Sequence, residues 1–253
     1  MRSFLFSLIF LCSITSWSAE ELTASQIMDK VEKSLRSKDE VAHIDMVIIE
    51  KSGQKLNRKM VVKKKSSGNK KYIMARMEAP GDVRGVGLLS VVEGVDDNQW
   101  LYLPSAKKSR RIISSKKKDS FLGSEISYED ISPTTYKHFS NKLVKTTEVK
   151  GKQAYVIESK SLGREAAYSK IITWVTKKDF RVLQSKYFDQ KGKKLKIMKF
   201  KDYKKFGKRT WRAQNIDVKN YQNKRGTSLA LSKLEMNTGL KVSEFSKAAL
   251  ERF

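Results

Sequence analysis

Residues 72–78 read YIMARME, and the pattern repeats every second residue. Tyr72, Met74 and Arg76 fall on one side of an extended chain, and Ile73, Ala75 and Met77 on the other. A helix would scatter these six residues around its axis, so the stretch predicts a strand with apolar side chains on both faces.

The same period runs outward in both directions. In HIDMVIIE (43–50), Ile44, Met46 and Ile48 alternate with Asp45 and its neighbours, and in KLNRKMVVKKK (55–65) an apolar series from Leu56 and Met60 ends in lysines. Further runs rich in Val, Ile, Tyr, Phe and Trp occupy 88–93, 99–103, 109–113, 142–150, 154–159, 170–175, 181–188, 193–200, 210–220 and 227–236. Between them stand turn sequences such as Lys51-Ser-Gly, Ser66-Ser-Gly-Asn, Asp189-Gln-Lys-Gly and Asn223-Lys-Arg-Gly. The pattern predicts a mainly β chain: one antiparallel meander of about 11–12 strands, too large to stay flat, that curls into an incomplete, half-open barrel. In the last run Leu229 and Leu231 share one parity and Leu234 and Met236 the other, which predicts a bulge near Ser232–Lys233.

Few helices are expected. Thr23-Ala-Ser-Gln26 fits a capping box, followed by Ile27, Met28, Val31 and Leu35 at helical spacing. A second helix is expected from a Ser243 cap to Arg252, bringing Phe245, Ala248 and Ala249 together.

At the start, Arg2, an apolar run from Phe4 to Ile14 and then small residues have the order of a secretory signal peptide, read as 1–18 and removed by cleavage. The remainder, 19–253, is read as one domain. Three prolines and short turns throughout argue against an internal boundary. The only cysteine, Cys12, falls inside the leader, so an exported, disulfide-free chain must depend on its own core. The expected location is the periplasm.

The charge is large: 53 Lys and Arg against 27 Asp and Glu, +26 in total. Such a field favours anionic partners, although many lysines on strands simply face water. The ten basic residues between Lys191 and Arg209 form the densest patch. Export argues against nucleic acid and for lipid head groups or other anionic envelope polymers.

Catalytic patterns do not emerge. His43 and His138 lack a second ligand at metal spacing, no GxSxG or GxxxxGK[ST] occurs, and Gly85-Val-Gly87 is only half of a dinucleotide fingerprint. Asp96-Asp97 and Glu129-Asp130 are adjacent acids whose side chains diverge, unlike facing catalytic carboxylates. No enzyme, metal or cofactor is expected. What remains is a curled sheet with two short helices, too few to fill its concave face, and hence an apolar cavity suited to acyl chains. A barrel packed solid is the alternative.

Several segments carry a resemblance. These are Ala79-Pro-Gly-Asp-Val-Arg-Gly-Val-Gly-Leu-Leu89, Trp100-Leu-Tyr-Leu-Pro104, Arg110-Arg-Ile112 and Ser120-Phe-Leu-Gly-Ser-Glu-Ile-Ser-Tyr-Glu-Asp-Ile131. Together with the leader they resemble the outer-membrane lipoprotein-sorting proteins, and within them the LolA-like subgroup. Glu125-Ile126 stands where relatives often have Asp-Phe. The resemblance implies a half-closed barrel capped by helices. It also implies a periplasmic carrier of lipoprotein acyl chains or phospholipid, working between an inner-membrane transporter and an outer-membrane acceptor with transient membrane-surface contact. A monomer is expected. The alternative is an envelope interaction protein, or an accessory subunit of an inner-membrane lipid exporter, that uses its basic surface.

Aromatic size and strand position nominate Trp100, Tyr102, Trp174, Phe188 and Trp211 as cavity wall. The stretch SFLGSEISYED (120–130) is expected to form a lid: a flexible turn at Gly123-Ser124, a helical turn capped by Ser127 and stopped by Pro133, and Phe121, Ile126 and Tyr128 laid over the mouth. Arg110, Arg111, Lys116, Lys117 and Lys118 are expected to hold an anionic head group at the rim.

Overall fold

The computed structural model describes residues 21–94, 96–132, 139–162, 166–207 and 210–252. The expected leader and His138 lie outside them. Among the described residues, thirteen strands form one antiparallel sheet. The first six are β1 (Asp39–Ile49), β2 (Lys55–Ser67), β3 (Lys70–Ala79), β4 (Gly87–Glu93), β5 (Asp96–Leu103) and β6 (Lys108–Ile112). The others are β7 (Phe139–Val149), β8 (Lys152–Ser161), β9 (Lys170–Thr176), β10 (Val182–Phe188), β11 (Lys194–Phe206), β12 (Thr210–Asn220) and β13 (Gly226–Met236). The count exceeds the expected 11–12 because each extended run forms a strand of its own.

The strand order is β6-β5-β4-β3-β2-β1-β13-β12-β11-β10-β9-β8-β7. The chain steps outward from the centre by hairpins to the β6 edge. It then reappears at the opposite edge, β7, and steps back until β13 pairs with β1. The two edges do not pair, so the barrel stays open. This order also forces the connection between β6 and β7 to travel from one edge to the other.

YIMARME behaves as its period requires. Ile73, Ala75 and Met77 join Met46, Ile48, Met60, Val62 and Leu88 on the concave face, while Tyr72 and Met74 pack on the convex face with Leu89, Tyr102, Phe245 and Leu250. The bulge also appears where parity demanded it. His43 opposes Lys233 but Ile44 opposes Leu231, leaving Ser232 unpaired in the ladder. Its hydroxyl donates to the His43 carbonyl oxygen (3.1 Å).

Helix α1 (Ala24–Ser34) starts at the Thr23 capping box. The Gln26 amide donates to Thr23 Oγ1 (3.2 Å), and the Thr23 amide donates to Gln26 Oε1 (2.8 Å). Ile27, Met28 and Val31 are fully buried against Ile157 of β8 and Val175 of β9. Each such side chain stabilises the docking by about 1.5–3 kcal/mol. Leu35, expected on the same stripe, is instead the exposed C-terminal cap.

The C-terminal segment corrects another expectation. No single helix runs from Ser243. A 3-10 turn (Val242–Phe245) is followed by α3 (Lys247–Glu251), whose cap is Ser246, with its hydroxyl accepting the Ala249 amide (3.1 Å). Phe245 and Leu250, rather than Ala248 and Ala249, are the buried anchors, because the extended backbone at Ser246 rotates the second turn away from the first. Arg76 holds this strap on the convex face by donating to the carbonyl oxygens of Ala249 and Leu250 (3.2 and 2.6 Å).

Candidate functional site

A cavity of about 730 Å³ opens on the concave side. Ala42, Ile44 and Met46 of β1, Met60 and Val62 of β2, Phe200 of β11, Ile216 of β12 and Leu229 of β13 make its wall predominantly apolar. These residues share a face because they occupy alternate positions on neighbouring strands. Thr173 and Ser185 bring two hydroxyls to the same wall and hydrogen-bond each other (3.2 Å).

The connection leaving β6 crosses this face and closes the cavity from within. It contains short 3-10 turns (Ser114–Lys116 and Phe121–Gly123) and α2 (Tyr128–Ile131). Ser127 caps α2 as expected: its hydroxyl accepts the Asp130 amide (3.2 Å), and Asp130 accepts the Ser127 amide (2.7 Å). Leu122 and Gly123 both take positive φ, of 50° and 75°. That tight reversal turns Phe121 inward.

Phe121 is 0 % exposed and packs with Met46, Ile48 and Met77. The segment is therefore a plug at the inner wall, not a lid over the mouth. A ring of polar contacts anchors it. The Glu125 carboxylate accepts from Asn220 and Asn223 (2.6 and 2.9 Å), and the Glu125 amide donates to Thr227 Oγ1 (2.8 Å). Lys196 donates to the Glu125 carbonyl (2.9 Å) and forms a buried ion pair with Asp130. The Tyr168 hydroxyl donates to Asp130 (2.9 Å), and burial followed by the Asp130 charge pushes this phenol well above its ordinary pKa. Gln99 donates to the Tyr128 carbonyl (2.9 Å), and Glu129 accepts the Ala167 amide (2.7 Å). Burial raises the pKa of the Glu129 carboxyl, which lines the cavity.

The expected wall residues divide. Phe121 and Ile126 line the cavity. Tyr128 stacks edge-on against Phe121, with centroids 6.0 Å apart, and stands behind it. Trp100 and Tyr102 pack on the convex face beneath the C-terminal strap. Trp174 alternates with Thr173 and Val175 and so faces outward, under the Lys186 ammonium (4.9 Å). Phe188 sits at the end of β10 with Lys170 4.7 Å from its ring, and Trp211 lies against the Arg181 guanidinium (4.4 Å). None of these five is on the wall. The alternation of a strand distinguishes two faces, and this sheet buries large side chains on both.

The expected rim is displaced as well. Arg110 and Arg111 lie on edge strand β6, and Lys116, Lys117 and Lys118 in the turn after it, away from the opening. Lys117 is taken up by Asp97 (2.8 Å), Lys116 by Asp119 (3.4 Å) and Arg111 by Asn98 (2.5 Å). The mouth lies instead between the C-terminal end of α1, the β2–β3 hairpin and the outer parts of β10 to β12. Its cations are Arg36, Lys64, Lys65, Lys71, Arg181 and Arg212.

Glu40 organises part of that rim. Its side chain is 2 % exposed and bonds both Lys64 (3.1 Å) and Arg212 Nε (3.0 Å). Burial alone would raise its pKa, but the two cations outweigh it and hold it at about 2. The sequence did carry a signal for this group. Glu40 shares the parity of Ala42, Ile44 and Met46, and Lys64 that of Met60 and Val62, so both are charges on an otherwise apolar face.

Among the described residues, no cluster of three His, Cys, Asp or Glu side chains could hold a metal ion, and no helix is long and apolar enough to cross a membrane.

A family model described as "uncharacterized protein" matches residues 68–252, well over half of the chain. No curated protein matches. Among solved structures, a domain described as an outer membrane lipoprotein-sorting protein, from Vibrio parahaemolyticus, is 29% identical. The match covers 90% of this chain and 98% of that one, at a TM-score of 0.87. A DUF1329 family protein from Desulfovibrio piger is 26% identical over 90% and 97% of the two chains, at 0.85. A LolA superfamily protein from Nitrosomonas europaea shares the fold at 0.73, with 18% identity over 90% and 100%. With its open thirteen-stranded sheet and short helices, the chain belongs to the family of uncharacterized proteins matched over 68–252, and its fold is LolA-like.

Proposed function

We propose that the protein is a periplasmic carrier that binds the acyl part of a lipoprotein or lipid in its concave cavity. The observation that carries this reading is the cavity itself: about 730 Å³, walled mostly by aliphatic side chains, in a sheet that does not close. That volume lies within the roughly 300–1,000 Å³ of small-molecule sites. Burial of an acyl chain there gains about 25 cal/mol per Å² of apolar surface, without any directional bond. Such binding retains a chain yet releases it when a second apolar site competes, which is what a carrier requires. The function is binding and transfer rather than catalysis. The lipoprotein-sorting and LolA-like neighbours support the same reading. Transfer from an inner-membrane transporter to an outer-membrane acceptor is part of the proposal.

Native mass spectrometry of the protein purified from its own envelope tests it. A co-purifying lipid or acylated peptide, lost on delipidation and regained on adding a long-chain fatty acid, is the expected result. An empty protein that also fails to take up a fluorescent fatty acid would overturn it.

A further inference from the structure

The charges around the mouth do not balance. Six cations line it, and three carboxylates answer them: Glu32 pairs with Lys71 (2.5 Å), Asp179 with Arg181 (2.7 Å), and Glu40 with both Lys64 and Arg212. Arg36 and Lys65 make no side-chain hydrogen bond or ion pair with any described residue. Arg181 is fixed in place: its guanidinium pairs with Asp179 and lies against the rings of Tyr203 and Trp211 (5.3 and 4.4 Å).

The backbone around these groups is locked together. Arg212 donates to the Leu35 carbonyl (2.8 Å), Thr210 Oγ1 to the Arg36 carbonyl (3.0 Å), and the Ser66 amide to the Lys38 carbonyl (3.0 Å). The end of α1, the β2–β3 hairpin and β12 are thereby joined: Lys64, Lys65 and Arg212 are carried on strands, and Arg36, in the connection after α1, has its backbone tied to Thr210 of β12.

We propose that this mouth is an anion subsite, with Arg36 and Lys65 as donors and Lys64, Arg181 and Arg212 adding to the field, that takes the acidic head group of the acylated ligand. The inference rests on the proposed carrier function, since an acyl chain in the cavity is what brings its head group to the rim. The chemistry is that of an oxyanion, and two sources offer it: the carboxylate of a free fatty acid and the phosphate of a glycerophospholipid. Guanidinium groups suit both geometries.

The test uses the delipidated full chain and two matched pairs of probes: palmitate with methyl palmitate, and dipalmitoyl phosphatidic acid with dipalmitoylglycerol. Within a pair the acyl chains are the same and only the charge differs. The acid is expected to bind about tenfold or more tightly than its neutral partner, the scale of one charge-assisted hydrogen bond, and high salt should narrow the gap. A preference within the first pair only assigns a carboxylate, within the second only a phosphate, and either supports the subsite. In the double variant Arg36→Gln with Lys65→Gln the acid should bind no more tightly than its neutral partner. Arg110→Glu with Arg111→Glu, far from the mouth, should preserve it. Equal binding of acid and neutral probes would overturn the subsite and leave the cavity reading standing, as would loss of the preference in the Arg110/Arg111 control. Failure of all four probes to bind would overturn the cavity reading and this inference with it.

Discussion

Lys196 of β11 and Asp130 of α2 form an ion pair whose side chains are only 3 % and 5 % exposed, and it rivets the plug to the sheet. The same ammonium also holds the Glu125 carbonyl and lies 5.1 Å from the Tyr168 ring, so one cation serves two points of the plug.

Breaking this pair from one side should be costly. Asp130→Ala leaves a buried ammonium uncompensated and is expected to lower stability by about 3–5 kcal/mol. Asp130→Leu combined with Lys196→Met removes both charges and should recover much of that loss. Urea unfolding of the single and double variants checks this. A double variant no more stable than the single would contradict it.

Phe121 should behave as core. Phe121→Ala is expected to cost about 3–5 kcal/mol, because the ring is wholly enclosed and the plug is too well anchored to collapse into the gap. Tyr128→Ala should cost less, since its ring is half-buried and stands behind Phe121. A Phe121→Ala protein as stable as the parent, differing only in ligand retention, would restore the idea of a movable lid.

The Glu40 cluster should give stability an acid limb. The folded pKa is about 2 against an ordinary 4.5, so the contribution is complete above pH 4.5 and is lost as pH falls toward 2. The shift corresponds to about 3 kcal/mol. Glu129 has the opposite sign: burial raises its pKa, so its ionised form opposes folding at neutral pH, and Glu129→Gln should raise the melting temperature there. Denaturant titrations across the acid range are the measurement. A Glu40→Gln variant whose stability falls as steeply below pH 4.5 as the parent's would contradict the assignment.

The cavity wall offers a direct test of occupancy. Ile216 of β12 lines the cavity, and Ile216→Trp places an indole inside it. Uptake of a fluorescent fatty acid should fall by about tenfold or more, an amount the volume lost within a pocket of this size can account for. The melting temperature should stay near that of the parent. Undiminished uptake in a folded variant would mean that ligand sits elsewhere.

The features legible beforehand were those decided by local chemistry. Thr23 with Gln26, and Ser127 ahead of α2, are caps whose partners lie three residues away, so sequence spacing suffices to find them. The bulge at Ser232 was legible because side chains alternate with a strict period, and a break in parity needs an extra residue. The C-terminal helix was misread because Ser243 and Ser246 are both good caps, and only the seating of Phe245 and Leu250 on β3 and β4 selects the second.

By itself the sequence determined an antiparallel sheet of short-turned strands, its helix starts and its two alternating faces. Each follows from interactions within a few residues, or from the geometry of one strand. It also placed Glu40 and Lys64 on an apolar parity without saying why. Only the tertiary structure decided which face became concave, because Tyr72, Met74, Trp100 and Tyr102 are as apolar as Ile73, Ala75 and Met77. The choice depends on which long segment covers which side: the plug crosses between the two open edges inside, and the C-terminal strap lies outside. It likewise decided that the cations of the mouth are Arg36, Lys64, Lys65, Lys71, Arg181 and Arg212, residues up to 176 positions apart. No pattern along the chain links them, and pairing β13 with β1 is what brings them to one opening.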